Sequence, residues 1–583
     1  MNLCNAKYQR DDAPLGGNLP RTLAHRPAPV LPILPAEAVR DAVDRLSPDD
    51  CERAFKDRIV PVAWSPDQTD YAASAGLPFE RALALGIRPK ALIAPNHLVW
   101  ALQDRFRAGL TNLMLHELVS RFPALSSRQT FTDIQIGIGG CLAALAMTLA
   151  VFAPQALQLG ISLLFAMLFL AVIGLRWLCL FRPPRGVPPP AAALEEWELP
   201  VYSVLVPLFR EVAVIEILIP ALLDLDYPED LLDIKIILEE DDHPMRRACA
   251  ALRLPEHLEI LVVPRGAPQT KPRALNYALA FARGTLVTIF DAEDIPEPGQ
   301  LRLAAAAFAA GPPELACVQA SLEFFNPETN WLTRQFTIEY AVLFELLLPC
   351  LAAYGLPLPL GGTSNHFRAK ILRKVGAWDP YNVTEDADLG LRLSRMGFKT
   401  GVIASRTFEE ANSRTGNWLK QRARWLKGWA ITWLVHMRNP RRLYQDLGLE
   451  GFCAAQAILL GTAASALLHP VFLGLTLWSW ASGAMFAAPG NPISVAITGA
   501  SLAILFSGYA ITIWAGARAL RRIGYRGWWW PLATMPAYWM LISIAAWRAL
   551  YELLVSPHVW NKTDHGLAGK RRRRRRAIKP ARR

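Results

Sequence analysis

Hydrophobic and polar positions fall into successive textures along the 583 residues. Residues 1–35 are polar and proline-containing and predict an arm without regular structure. From residue 36 to about 125 the pattern is that of a small, mostly helical domain. Helices are predicted over Ala36–Arg45 and His97–Leu118, where apolar residues recur at three- and four-residue spacing. Two long apolar runs follow within residues 134–181, Ile136–Phe152 and Leu159–Leu175. Each is long enough to cross a bilayer core about 30 Å thick. A linker containing Pro183, Pro184, Pro188, Pro189 and Pro190 leads out. Over residues 200–445 short β-branched runs alternate with helical patterns, with strands predicted at Val201–Val206, Ile234–Leu238, Leu258–Val263 and Leu286–Phe290. Such alternation argues for βαβ units around a parallel sheet. Ligands of such sheets bind beyond the carboxyl ends of the strands, where the acidic clusters 239–242 and 291–294 fall. Tyr340–Pro359 is apolar but broken by Pro349, and reads as an interfacial helix. Residues 452–553 predict four more crossings, over Phe452–His469, Val471–Ala487, Val495–Ala517 and Trp530–Leu553, six in all.

Composition sharpens this picture. A mean hydropathy of +0.20 with 19% charged residues is too apolar for an ordinary soluble protein, and 19 Trp suit interfacial anchoring. The net charge is +12, but Lys570, Arg571 to Arg576, Lys579, Arg582 and Arg583 supply most of it. A basic tail after a hydrophobic bundle fits anionic lipid on the cytoplasmic face, and nucleic acid is not an expected partner. Arg176, Arg182 and Arg185 place the domain after the second apolar run in the cytoplasm. Four later crossings return the tail, residues 554–583, to the same side, but they put Arg518, Arg521, Arg522 and Arg526 outside, against the positive-inside tendency. Eight cysteines stand singly, without metal-binding spacing or a disulfide framework, so a cytosolic catalytic segment is expected. Residues 1–30 lack the apolar core of a signal peptide.

The chemistry gathers in an ordered set: Glu239-Glu240-Asp241-Asp242, Lys271-Pro272-Arg273, Asp291-Ala292-Glu293-Asp294, Thr384-Glu385-Asp386 and Gln421-Arg422-Ala423-Arg424-Trp425, followed by membrane-spanning material. That set, over roughly residues 200 to 565, resembles the processive family 2 glycosyltransferases, which include cellulose and hyaluronan synthases. The resemblance implies an α/β GT-A (Rossmann-like) catalytic domain embedded in a multi-span α-helical membrane protein of the bacterial inner membrane. It implies inverting transfer of sugar from a nucleotide-sugar, a UDP-sugar first, onto a growing β-linked exopolysaccharide.

In such enzymes a divalent metal neutralises the leaving diphosphate, and carboxylate oxygens suit Mg²⁺ or Mn²⁺. Asp291 and Glu293 match the metal motif, with Asp294 immediately behind as an alternative third-position ligand. Glu240 and Asp241 take the place of the nucleotide-recognising acids, within a register of one or two residues. Lys271 resembles a basic residue near the diphosphate. Asp386 matches the general base of the triplet, with Glu385 beside it on the acceptor side. Gln421, Arg424 and Trp425 share a helix face; Trp offers a plate for a sugar ring, while Arg and Gln hold phosphate or hydroxyl oxygens. Gly361–Arg368 resembles the acceptor-side strand and Trp560–Gly566 a mobile gating segment. Tyr71–Pro95 resembles the N-terminal domain of type II secretion ATPases. Some relatives of that domain bind cyclic di-GMP, but the glycine and arginine pattern here does not carry that activity over. A docking role is expected, with cyclic di-GMP or accessory export proteins as candidate partners. Two other readings remain: single-sugar transfer to a polyprenyl-phosphate lipid, whose enzymes generally lack the pentad, and a degenerate nucleotide-responsive membrane scaffold.

Overall fold

The computed structural model describes residues 31–64, 69–74, 77–181, 193–252, 254–255, 257–483 and 492–559. Most of the N-terminal arm, the proline linker, the gating-like segment Trp560–Gly566 and the polybasic tail lie outside these residues. The chain divides into two compact units. The first comprises Met1–Glu117, Pro190–Pro312 and Thr363–Trp378, the second Leu118–Pro189, Pro313–Gly362 and Asp379–Arg583.

The first unit opens with α1 (Ala36–Asp44), α2 (Pro48–Lys56), β1 (Ile59–Trp64), β2 (Thr69–Ser74), α3 (Leu77–Ala84), β3 (Ala91–Ile93) and the long α4 (Pro95–Arg121). Its helices match the expected pattern, but it also holds a three-stranded sheet in the order β1-β2-β3. Those strands are three to six residues long and hold four alanines and one proline, so they carry no period-2 alternation to read.

Beyond the linker come β4 (Tyr202–Leu208), α7 (Ile215–Leu223), β5 (Leu232–Glu239), α8 (His243–Ala250), β6 (Leu258–Val263), α9 (Lys271–Leu279), β7 (Leu286–Ile289), the short β8 (Ile295–Pro296) and α10 (Gln300–Ala310). β10 (Asn365–Arg368) and α13 (Ala369–Lys374) complete the unit. Strands β6, β5, β4 and β7 are parallel neighbours, and β10 pairs antiparallel with β7. All eight residues of β5 are buried, Asp233, Lys235 and Glu239 among them, so the strand shows no alternation between an apolar and a solvated face. The two acidic clusters follow the carboxyl ends of β5 and β7.

In the second unit α5 (Asp133–Phe152) and α6 (Pro154–Phe181) precede β9 (Leu315–Phe324), which pairs parallel with β11 (Lys399–Glu409). α11 (Trp331–Val342) runs through a π turn into α12 (Leu348–Ala353). α14 (Glu385–Arg395) and α15 (Thr415–His436) carry the acceptor-side motifs, and α16 (Pro440–Ala455), α17 (Thr462–Ala481), α18 (Pro492–Arg522), α19 (Trp529–Ala533) and α20 (Met535–Val555) follow.

Among the described residues six helices are long and apolar enough to cross a membrane: Asp133–Phe152, Pro154–Phe181, Trp331–Ala353, Pro440–Ala481, Gly499–Arg522 and Met535–Val555. The number equals the sequence expectation, but the members differ. The two segments Phe452–His469 and Val471–Ala487 are not separate crossings; their helical part belongs to one stretch, Pro440–Ala481, which is kinked at Gly448, upstream of both, and has Pro470 inside it. Proline removes one backbone donor, and a helix surrounded by apolar neighbours accommodates that loss. The stretch read as an interfacial helix, Tyr340–Pro359, begins within Trp331–Ala353, which satisfies the length and composition of a span.

Arg518 donates to the Leu180 carbonyl at 2.8 Å and Arg522 to the Glu345 carbonyl. The basic end of α18 therefore lies beside the C-terminal end of α6, the end that leads to Arg182 and Arg185.

Candidate active site

On the donor side, β5 delivers the four acids, and their partners separate them. Glu239 is buried and accepts from Arg273 at 2.6 Å. Asp242 caps α8 by accepting from the Met245 amide at 3.2 Å, and also accepts from the Arg210 amide. The outer two acids thus belong to the fold. The inner two remain half-buried: Glu240 accepts from the Arg265 amide at 3.0 Å, and Asp241 from Gln269 at 3.0 Å.

β7 delivers the second cluster. Lys271, at the N-terminus of α9, stands 2.5 Å from the Asp291 carboxylate. Asp294 is only 1% exposed and is turned inward, where it accepts from the Asp291 amide at 2.7 Å and from the Thr363 hydroxyl. It closes the turn that presents Asp291 and Glu293, which are half-buried. Burial, reinforced by the charges of Asp291 and Glu293, pushes its carboxyl well above the usual range. Of the two third-position acids the sequence leaves open, Asp294 is thus held by the fold.

Its other oxygen, Oδ1, is buried without a partner. Asp291, beside Lys271, and Glu293 in the same turn offer hard carboxylate oxygens, the donors that suit a divalent cation. No three His, Cys, Asp or Glu among the described residues form a ready-made cage. That accords with Mg²⁺-type sites, which take one or two carboxylates plus substrate phosphates. Asp291 and Glu293 fit such an ion.

On the acceptor side, α14 and the turn before it are pinned to the C-terminal part of α15. Asn382 donates to Thr432 at 3.0 Å, and Asp388 accepts from Arg392 at 2.9 Å and meets His436 at 3.0 Å. At the triplet the helices are closer still: a Cβ placed on Gly428 would lie 2.2 Å from the Thr384 hydroxyl. Asp386 is half-buried in the first turn of α14, while Glu385 beside it is buried. Gln421 Oε1 is buried with no hydrogen-bond partner. Trp425 is half-buried, stacked at 6.2 Å and 27° on Tyr340.

Two residues that sequence reasoning passed over hold this helix. Arg422 makes two 2.7 Å bonds to Glu339 and lies 4.7 Å from the Trp425 ring centre. Lys427 reaches Glu552 at 3.3 Å and the Val559 carbonyl at 2.9 Å. Arg422 was legible as the first basic residue of the pentad; Lys427 was not, because its partners lie more than a hundred positions away.

The contact at Gly428 yields a prediction. Gly428→Ala forces either Thr384 or α15 to shift, with an overpacking cost of about 1–3 kcal/mol. Transfer is expected to fall at least tenfold while nucleotide binding persists. A variant that transfers at the wild-type rate would show that the triplet tolerates displacement.

Residues 200–428 match the family model described as glycosyltransferase like family 2. The chain is 27% identical over 239 residues to the probable glycosyltransferase YdaM of Bacillus subtilis, covering 40% of this chain and 56% of that one. It is 30% identical over 264 residues to a beta-monoglucosyldiacylglycerol synthase of Synechocystis, covering 44% and 54%. It is 26% identical over 242 residues to the UDP-forming cellulose synthase catalytic subunit of Pseudomonas fluorescens, covering 40% and 32%. The chain thus spans from about a third to just over half of the length of these relatives. Residues 200–428 thus match the glycosyltransferase like family 2 model, in one chain with several helices long and apolar enough to cross a membrane.

Proposed function

We propose that the protein is a membrane-bound inverting glycosyltransferase. It moves sugar from a nucleotide-sugar, a UDP-sugar first, onto a growing β-linked polysaccharide and passes the chain outward. The observation that carries this reading is the close packing of the Thr384-Glu385-Asp386 turn on the helix bearing Gln421, Arg424 and Trp425, marked by Gly428 against Thr384.

In this reading Asp386 takes the proton of the acceptor hydroxyl as that oxygen bonds to the anomeric carbon and the bond to the diphosphate breaks. Glu240 and Asp241 hold the nucleoside end, and Lys271 faces the diphosphate. Asp291 and Glu293 would hold Mg²⁺ or Mn²⁺, which supplies neutralisation of the departing charge. The donor-side residues belong to the first unit and Asp386 with the pentad to the second. Arginines at the adjoining ends of α6 and α18 support a cytosolic catalytic domain on the positive-inside rule.

Trp425 serves as the plate on which the nascent chain rests between additions. Trp425→Ala is therefore expected to shorten or abolish polymer while donor binding stays nearly intact and donor hydrolysis continues, read by product sizing and nucleotide release. Unchanged polymer length would leave Trp425 as packing for Tyr340 and Arg422 only.

A second reading, single-sugar transfer to a lipid, is favoured by the similarity to a protein named as a glycolipid synthase. Radiolabelled nucleotide-sugars supplied to membranes as a panel separate the two: polymer supports the first reading and lipid-linked monomer the second.

A further inference from the structure

Helix α4 of the N-terminal module is bonded to β6, to α9 and to Glu240 in the turn after β5. Gln103 donates to the Tyr277 hydroxyl at 3.0 Å and to the Val262 carbonyl at 3.1 Å. One turn on, Arg107 reaches both oxygens of Glu240, at 2.7 and 2.8 Å. Farther along, the Met114 carbonyl accepts from Asn276 at 3.2 Å. Residues 103, 107 and 114 recur at helical spacing on one face, so the same face that docks the helix presents the arginine.

The module's seat is rigid. Arg58, 1% exposed, pairs with Glu259 at 2.8 Å. Behind it Lys235 pairs with Asp233 at 2.7 Å and also with Glu259. Arg283 meets Asp233 at 2.8 Å. A buried arginine drawn out of such a cluster leaves uncompensated charge behind, so the module stays docked. Arg107 is thus held against Glu240 by its whole domain. Arg107 first, and the Arg265 amide next, hold the Glu240 carboxyl below its usual range.

We propose that Arg107 is a positioning residue for donor recognition. By gripping Glu240 it aims that acid at the nucleoside end of the donor, and in this way the N-terminal module sets donor affinity. The inference rests on the reading of Glu240 as a nucleotide-binding residue. Hydroxyl and ring N–H donors of a nucleoside are the groups an aimed carboxylate accepts from. The side chains of Arg107 and Glu240 are 53% and 30% exposed, which leaves an open edge for the ligand and limits the pair's strength.

The test uses the purified full-length chain, with UDP and GDP as calorimetric probes, and steady-state transfer with whichever nucleotide-sugar the membranes accept. Arg107→Ala is expected to raise Kd and KM about three- to tenfold with kcat within about twofold, the scale of a partly exposed ion pair. Arg107→Lys should recover part of the loss. Arg107→Ala combined with Glu240→Gln should bind no more weakly than Glu240→Gln alone, since the arginine acts through that acid. Unchanged Kd and KM in Arg107→Ala, a fall confined to kcat, or additive losses in the double variant would overturn the proposal while the donor reading stands. A wild-type protein that binds neither nucleotide and transfers no sugar overturns the donor reading, and this inference with it.

Discussion

Replacing Asp386 by Asn is expected to cut sugar transfer by about 10²- to 10⁴-fold, the range that a positioned general base contributes, with donor affinity nearly unchanged. Asn keeps the shape and one carbonyl oxygen but cannot take a proton. Its neighbours explain why the change should be local. Asp386 is half-buried and accepts from the Ala387 amide at 2.7 Å. The bonds that fasten α14 belong instead to Asp388, which meets Arg392 and His436. Asp388→Asn should therefore behave differently, losing stability through the broken buried pair. Calorimetric UDP binding beside a transfer assay separates these cases. If donor affinity collapses in Asp386→Asn, the residue binds the donor and the base lies elsewhere.

Chelation should have an effect of similar size. With EDTA, transfer is expected to fall to background, and added Mg²⁺ or Mn²⁺ should restore it. The reason is local charge. One lysine faces Asp291 at 2.5 Å, while Glu293 and the buried Asp294 stand in the same turn. A departing diphosphate would add still more negative charge there, and Lys271 alone does not balance it. Asp291→Asn should mimic EDTA and resist rescue by added metal. Full activity in EDTA would remove the cation from the mechanism and leave Lys271 to face the diphosphate.

The donor-side sheet was legible because parallel strands buried on both faces become short β-branched runs. Leu258–Val263 was read to the residue, and Leu286–Phe290 to within one. The helix of the pentad was legible from its polar and aromatic spacing, and it begins only two residues before the expected Asn417. The N-terminal sheet was not, since Ala72 and Ala73 in β2 and Pro61 in β1 give no alternation. Nor was the single helical stretch Pro440–Ala481, because Pro470 looks like a terminator until its packing is known.

Local order in the chain determined which chemistry is present: acids after strands, a triplet before a helix, and a Gln, Arg and Trp sharing one helix face. Periodicity and short motifs act over a few residues, so a linear reading reaches them. Only the tertiary structure decided how each acid is used. It turned Asp294 inward to Thr363, spent Glu239 on Arg273 and brought Arg107 to Glu240. It also drew the arginine-bearing end of α18 to the end of α6. Those partners are separated by from 34 to more than 300 positions, and nothing in a residue's near neighbours records which distant side chain will satisfy its charge.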